Sequence, residues 1–339
     1  MSILLAGGAG YIGSHTAVEL INRGYDVIIA DNLSNSYELV IDRIEKISGK
    51  RPKFYKVDTR SEDFERVFKE NNIDILVDFA AYKAVGDSVK NPIKYYDNNL
   101  FSLINTLKLM DKYDVKKIVF SSSATVYGVV EEKHLPVKED YQRTSVNPYG
   151  STKVMGEQIL EDLYNADDSY SIAILRYFNP IGAHESGLIG EESTGIPANI
   201  MPYMTKVALG ELPYLNVFGD DYDTKDGTGV RDYIHVLDLA SGHVNAIEKL
   251  LEGGFGLQHI NLGTGKGYSV YELIEAFSKA SGIDIAYKVC PRRPGDAAVS
   301  YADSTKASKV LGWTAKYDIY DMCRDSWNWQ KQNPNGYEG

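Results

Sequence analysis

The chain opens Ser2-Ile3-Leu4-Leu5-Ala6-Gly7-Gly8-Ala9-Gly10-Tyr11-Ile12-Gly13, and a second apolar run, Val27–Ala30, stops at Asp31. An apolar run, a glycine turn, an amphipathic stretch and another apolar run closed by an acid give the strand, turn, helix and strand of a dinucleotide-binding unit. Gly7 permits the tight turn out of the first strand. Gly10 lets a pyrophosphate approach the backbone without a Cβ in the way, and Gly13 lets the helix pack closely on the sheet. Tyr11 and Ile12 open that helix, whose free N–H groups and positive dipole end point at the phosphates. Asp31 follows Gly13 at close to the spacing of about 20 residues expected for the acid that holds the adenine ribose hydroxyls. A carboxylate there repels a 2′-phosphate, so the cofactor reading is NAD rather than NADP.

Working outward, alternation continues to about Asn179. Phe54–Val57, Ile75–Ala80, Lys117–Ser122 and Ile172–Phe178 read as strands; Glu62–Asn71, Pro92–Tyr113 and Asn147–Asn165 read as helices. Apolar, β-branched strands separated by helices are parallel and buried on both faces. The expected fold class is therefore α/β, a doubly wound parallel Rossmann-type sheet, whose ligands sit at the carboxyl ends of the strands. That rule selects Asp31-Asn32, Asp58-Thr59, Phe79-Ala80-Ala81, Ser121-Ser122-Ser123 and Asn179-Pro180. Beyond Asn179 the alternation loosens. Helical patterns fit Asn199–Leu209, Val236–Leu251, Val270–Ala280 and the region of Trp327; short strands fit Leu215–Phe218, His259–Leu262 and Ile285–Val289. The expected division is a Rossmann domain over 1–180 and a smaller mixed α/β substrate domain over 181–339. Strands near Val236 and His259 are candidates to extend the main sheet.

Composition narrows the function classes. Hydrophobic residues make up 43% and charged residues 24% of 339, ordinary for a soluble globular chain. No apolar run approaches the roughly 20 residues of a membrane span. The first strand starts at once, which predicts no signal or transit peptide and a cytoplasmic location. Cys290 and Cys323 form no disulfide framework or metal spacing, and no metal site is expected. A net charge of −11 without a basic cluster argues against nucleic acid. The Asp220–Gly227 stretch resembles a calcium loop only superficially, since Lys225 takes a ligand position and no glutamate closes it. Gly263–Gly267 is not a phosphate loop, because Lys266 is followed by Gly267. His235 and His243 read as core or surface histidines rather than ligands, and Trp313, Trp327 and Trp329 as packing residues.

The chemistry gathers at Asn147-Pro148-Tyr149-Gly150-Ser151-Thr152-Lys153. Tyr149 and Lys153, at i and i+4 on a helix, share a face. An ammonium near a phenol favours the phenolate and is expected to lower its pKa from near 10. The pair makes a general base for an alcohol that loses hydride. Ser123, at a strand's carboxyl end, can hydrogen-bond the same substrate oxygen.

The glycine turn, the serine run and Tyr-x-x-x-Lys together resemble the extended short-chain dehydrogenase/reductases, and most closely their UDP-hexose 4-epimerase branch. The similarity extends through Asp31–Ser36, Lys83–Ser88, Tyr95–Asn99, Leu175–His184, Asp226–Val236 and Arg292–Asp296. It implies that Tyr149 takes the proton of the sugar 4-hydroxyl as C4 gives hydride to NAD, that the 4-keto sugar turns over, and that hydride returns to its other face. On the cofactor side it adds Leu33, Asn35, Ser36, Lys83, Asn98, Ser121, Tyr177 and Phe178. For the UDP-hexose it implies Lys83, Asn179, Asn199, Ile200, Asn216, Phe218, Arg231, Tyr233, Val270, Arg293, Asp296 and Ser300. Arginine forks suit a diphosphate, and Phe218 or Tyr233 could pack on uracil. Ser300 occupies what resembles a size gate, where a small residue admits a 2-acetamido group, so UDP-GlcNAc and UDP-GalNAc become candidate substrates. Ala6 and Tyr82 depart from the family pattern without touching the chemistry. The resemblance also implies a homodimer through Pro92–Tyr113 and Asn147–Asn165. Among rivals, a 4,6-dehydratase needs an acid and a base where this chain has Ala124 and Thr125; a reductase would use NADPH, which Asp31 disfavours. A non-catalytic NAD sensor would be expected to have lost Tyr149 or Lys153.

Overall fold

The structure, a computed structural model, describes residues 1–192, 197, 199–293 and 295–338. Pro294, within the Arg292–Asp296 stretch, therefore lies outside the described residues, as do residues 193–196 and 198. Seven strands form the main sheet, in the order Leu257–Leu262, Ser171–Tyr177, Lys117–Ser123, Ile75–Asp78, Ser2–Ala6, Asp26–Asp31, Lys53–Lys56. Every pairing in it is parallel. The order reverses between Ser2–Ala6 and Ile75–Asp78, which places the ligand crevice beside the glycine turn.

Period-two alternation divides the core into two layers. Ile3, Leu5, Val27 and Ile29 face the helices Tyr11–Asn22, Leu39–Ser48 and Val236–Glu252. Leu4, Ala6 and Ile28 face Glu65–Lys69, Pro92–Lys112 and Pro148–Ala166. Full burial of a Leu or Ile side chain is worth about 1.5–3 kcal/mol, so these layers fix the register firmly. Trp313 and Trp329 pack into the first layer, and Trp327 into a third cluster with Met201, Met204, Leu273, Phe277 and Met322.

The later segments divide between sheets. Leu257–Leu262 pairs with Ser171–Tyr177 and extends the main sheet. The strand before Val236 does not: Val230–His235 pairs with Asn179–Ile181, Gly267–Ser269 and Val299–Ser300 in a separate sheet. Leu215–Phe218 pairs with Tyr287–Cys290. Helices Leu39–Ser48, Val85–Lys90 and Thr305–Leu311 appear where the sequence reading proposes none.

Candidate active site

At the glycine turn, Gly7 adopts φ +77°, and a Cβ there would stand 2.8 Å from Ala80 N. A Cβ on Gly13 would stand 2.7 Å from Gly8 Cα, so turn and helix touch backbone to backbone. A Cβ on Gly10 would meet only Gly7 O, at 3.4 Å. The Tyr11–Asn22 helix has no side-chain cap and no acid in its first turn, which leaves its first N–H groups for an anion. This open cradle fits a pyrophosphate. Tyr11 Oη donates to Gly182 O at 2.7 Å, and Ile12 packs against the core.

Asp31 ends its strand buried. Its carboxylate accepts from Ala9 N at 3.0 Å, Leu33 N at 2.9 Å and Ser36 Oγ at 2.9 Å, and burial raises its pKa against those bonds. Leu33 takes a left-handed φ of 59° in this turn, beside an exposed Asn35. Asn32 Nδ2 donates to Asp58 Oδ2 at 3.0 Å. Arg60 hydrogen-bonds Asp58 and holds its pKa down at about 2. Thr59 Oγ1 lies 2.6 Å from Ser102 Oγ.

Pro148–Ala166 starts cleanly, with Asn147 Oδ1 accepting from Gly150 N at 2.9 Å and proline in the first turn. It presents Tyr149, half-buried, and Lys153, buried. Ser123 Oγ accepts from Thr125 N at 3.2 Å, and its hydroxyl draws the Tyr149 pKa down. Burial pushes the phenol up to about 12, with Ser123 alone opposing, so the expected lowering by Lys153 is not the state of this chain. The Lys153 charge does not offset that burial. Lys153 Nζ stands 4.8 Å from the Phe120 ring centroid; burial lowers its pKa to about 8, opposed by the charges of Asp78 and Glu157.

Neither acid stands out in the sequence. Asp78 is the last residue of its strand, in register with Phe120, and accepts from Ala80 N at 3.1 Å. Burial raises it to about 6 against the Lys153 charge. Its signal was an acid closing an apolar run, hidden inside a strand read two residues too long. Glu157 lies one turn beyond Lys153 and takes Arg176 Nε at 2.9 Å, Arg176 Nη2 at 2.7 Å and Ser122 Oγ at 2.5 Å. Burial would raise Glu157, but the Arg176 guanidinium holds it below the usual range. Glu157, Glu161 and His259 lie close enough to share an ion. Arg143 and Arg176 already bond those carboxylates, which gives the cluster a non-metal explanation.

Around this centre, Tyr177 Oη donates to Ser121 Oγ at 2.9 Å and contacts His243 Nε2. The Phe79 ring lies 5.0 Å from the His243 ring, and Phe178 packs with Val126, Tyr127 and Ala302. Ala81 is half-buried beyond Ala80, whose backbone meets Gly7. Asn98 Nδ2 donates to Asn99 Oδ1 at 3.0 Å; Asn99, which the sequence reading missed, bonds Tyr82 N and Thr152 Oγ1 and so ties the Ala80–Ala84 loop to the Tyr149 helix. Lys83 Nζ and Asn199 Nδ2 both reach Glu191.

A second group forms on the smaller sheets. Arg293 stacks over the Phe218 ring at 3.8 Å, and Arg231 Nη2 lies 3.5 Å from Asp296 Oδ1. Ser300 is paired in register with Arg231. Asn179 Nδ2 donates to Asp232 O at 3.0 Å, and Asn216 Nδ2 to Tyr203 Oη at 3.4 Å. Ile200 and Val270 each open a helix. Tyr233 is 3% exposed and sits in the third core cluster, so its ring offers no face for a base; Phe218 is the available aromatic of the two. The Gly263–Gly267 turn is filled from within: Thr264 N and Gly265 N donate to the Asp232 carboxylate at 2.8 and 3.0 Å.

Sheet order, open glycine cradle and a Tyr149–Lys153 helix beside a strand-end serine define an extended short-chain dehydrogenase/reductase. A family model described as GDP-mannose 4,6 dehydratase matches residues 4–326. The chain is 56% identical to the UDP-glucose 4-epimerase of Bacillus subtilis (strain 168) over 339 residues, covering 100% of this chain and 99% of that one. It is 52% identical to the UDP-glucose 4-epimerase of Haemophilus influenzae, with 99% of each covered. The crystal structure of UDP-glucose 4-epimerase from Bifidobacterium longum in complex with NAD+ and UDP superimposes with a TM-score of 0.95 at 56% identity, covering 99% of this chain and 100% of that one. The chain belongs to the UDP-glucose 4-epimerase family.

Proposed function

We propose that this enzyme interconverts UDP-galactose and UDP-glucose by inverting C4, with NAD held in the glycine cradle and by Asp31. The observation that carries the reading is the convergence of Ser123, at the end of its strand, and Tyr149, on the helix that also bears Lys153, with Ser123 drawing the phenol's pKa down. Bound NAD supplies a reversible hydride acceptor. Tyr149 Oη removes the proton of the 4-hydroxyl and returns it, and Ser123 Oγ steadies that substrate oxygen. Lys153 supplies the positive charge that favours the phenolate once it faces the phenol. Phe218, Arg231, Arg293 and Asp296 hold the UDP end, while Asn179, Asn199, Ile200, Asn216, Tyr233 and Val270 line or support that site. A firm grip on the nucleotide leaves the hexose free to present either face. Ala124 and Thr125 supply no acid or base for dehydration, so the 4,6-dehydratase reading is disfavoured. The test is incubation with UDP-galactose and no added cofactor: UDP-glucose accumulates with the wild-type chain, and Tyr149→Phe abolishes it.

The small side chain at Ser300, half-buried beside Arg231, favours a second substrate pair, UDP-GlcNAc and UDP-GalNAc. Turnover of UDP-GlcNAc at background level removes that reading. The chain works as a homodimer, because Ile93 (76% exposed) and Phe101 (48%) on Pro92–Lys112 and Met155 (43%) on Pro148–Ala166 leave apolar side chains uncovered. A Phe101→Asp variant should run as a monomer in size-exclusion chromatography with light scattering. Residues 1–180 form the NAD-binding unit and 181–339 the substrate unit, with Leu257–Leu262 returning to the main sheet. The enzyme is cytoplasmic and needs no membrane or nucleic-acid partner; among the described residues no helix is long and apolar enough to cross a membrane.

A further inference from the structure

Glu191 joins three parts of the site. Its side chain is 8% exposed, and its Oε1 takes Lys83 Nζ at 3.2 Å and Asn199 Nδ2 at 2.6 Å. Lys83 Nζ in turn lies 5.7 Å from the Tyr11 ring centroid at the start of the cradle helix. The carboxylate thus links the loop after Ile75–Asp78, the cradle and the entry to the Ile200–Ala208 helix. Its other oxygen, Oε2, is buried and has no hydrogen-bond partner. A buried carboxylate oxygen without a donor is costly and calls for an explanation, such as a donor carried by a ligand.

We propose that Glu191 is a substrate-positioning residue: Oε2 accepts a hydrogen bond from a hydroxyl of the bound hexose while Oε1 holds Lys83 and Asn199 in place. This rests on the reading that Lys83 and Asn199 belong to the UDP-hexose site. The chemistry selects the group. A diphosphate has no donor to offer a carboxylate and repels it, whereas sugar hydroxyls donate. The nucleotide's own ribose has a carboxylate assigned already, Asp296 beside Arg231. The hexose remains.

The test compares wild type, Glu191→Gln and Glu191→Ala in UDP-galactose kinetics and in calorimetric binding of UDP and UDP-glucose. Expected in both variants is a rise in KM for UDP-galactose and in Kd for UDP-glucose of about tenfold or more, with kcat within about threefold and UDP affinity within about twofold. A purely structural role would not divide KM from kcat in this way. The proposal is overturned if Glu191→Gln leaves both constants within about twofold of wild type, or if UDP weakens as much as UDP-glucose, which would put the donor on the nucleotide. Glu191→Gln keeps the side-chain shape and decides the matter if Glu191→Ala fails to fold. A wild-type chain that binds UDP-glucose without turning over UDP-galactose would remove the epimerase reading alone, and the binding arm would still judge Glu191.

Discussion

Ser123 ends its strand at the carboxyl edge of the sheet beside Tyr149, and its hydroxyl is the one group that draws the phenol's pKa down. In the proposed reaction the two act on one oxygen of the substrate. Tyr149→Phe should lower kcat by about 10²–10⁴-fold, while Ser123→Ala should cost less, since it removes one hydrogen bond and no proton acceptor. Stopped assays on UDP-galactose measure both, and equal losses in the two variants would contradict the assigned roles.

Asp78 carries a burial penalty at neutral pH. Its folded pKa of about 6 exceeds the ordinary 3.8, so between those values the folded state binds more protons than the unfolded one. Stability from this group is gained as pH falls through about 6 and lost as pH rises through it, by up to about 3 kcal/mol. Denaturant unfolding of wild type and Asp78→Asn at several pH values should show wild type gaining on the variant from neutral pH down to about 4. A constant difference across that range would rule this out.

Glu157 and Arg176 are a buried, two-point ion pair behind Lys153. Removing one partner strands the other charge, so Arg176→Met should destabilise the fold by about 3–5 kcal/mol. Replacing both, as Glu157→Leu with Arg176→Met, should recover much of that loss unless Ser122 is then left unpaired. Urea midpoints of the single and double variants decide it.

The glycines of the turn should separate by phenotype. Gly7→Ala and Gly13→Ala put a Cβ within 2.9 Å of backbone atoms and should destabilise the protein. Gly10→Ala meets only Gly7 O at 3.4 Å, so its melting temperature should hold while NAD retention after desalting falls. Equal loss of stability at all three positions would refute the assignment of Gly10 to the ligand.

Much of this arrangement was legible because it is local. The turn at Gly7–Gly13, Asp31 at a strand end and the i, i+4 pair Tyr149–Lys153 are set by neighbours in the chain. What escaped was decided across the sheet or between distant segments. Asp78 meets Lys153 only because Ile75–Asp78 lies beside Lys117–Ser123. Glu191 gains its meaning from Lys83, over a hundred residues earlier in the chain. The Leu39–Ser48 helix did leave a trace, in Val40, Ile41 and Ile44 at helical spacing and in Gly49 at φ +74°, but its charged residues obscure the pattern. The direction of the Tyr149 shift failed for a different reason: spacing brings an ammonium near a phenol and says nothing of how dry the pocket is.

The edge strand Leu257–Leu262 has a consequence for biosynthesis. A nascent chain that has emerged only to residue 180 holds Ser171–Tyr177, with Ile172, Ile174 and Leu175, as an apolar rim bonded to Lys117–Ser123 on one side and to nothing on the other. Such a rim is a template for intermolecular pairing. The ribosome must deliver a further eighty or so residues before the protein can seal its own border, so truncation near the middle of the gene should yield aggregates rather than a soluble half.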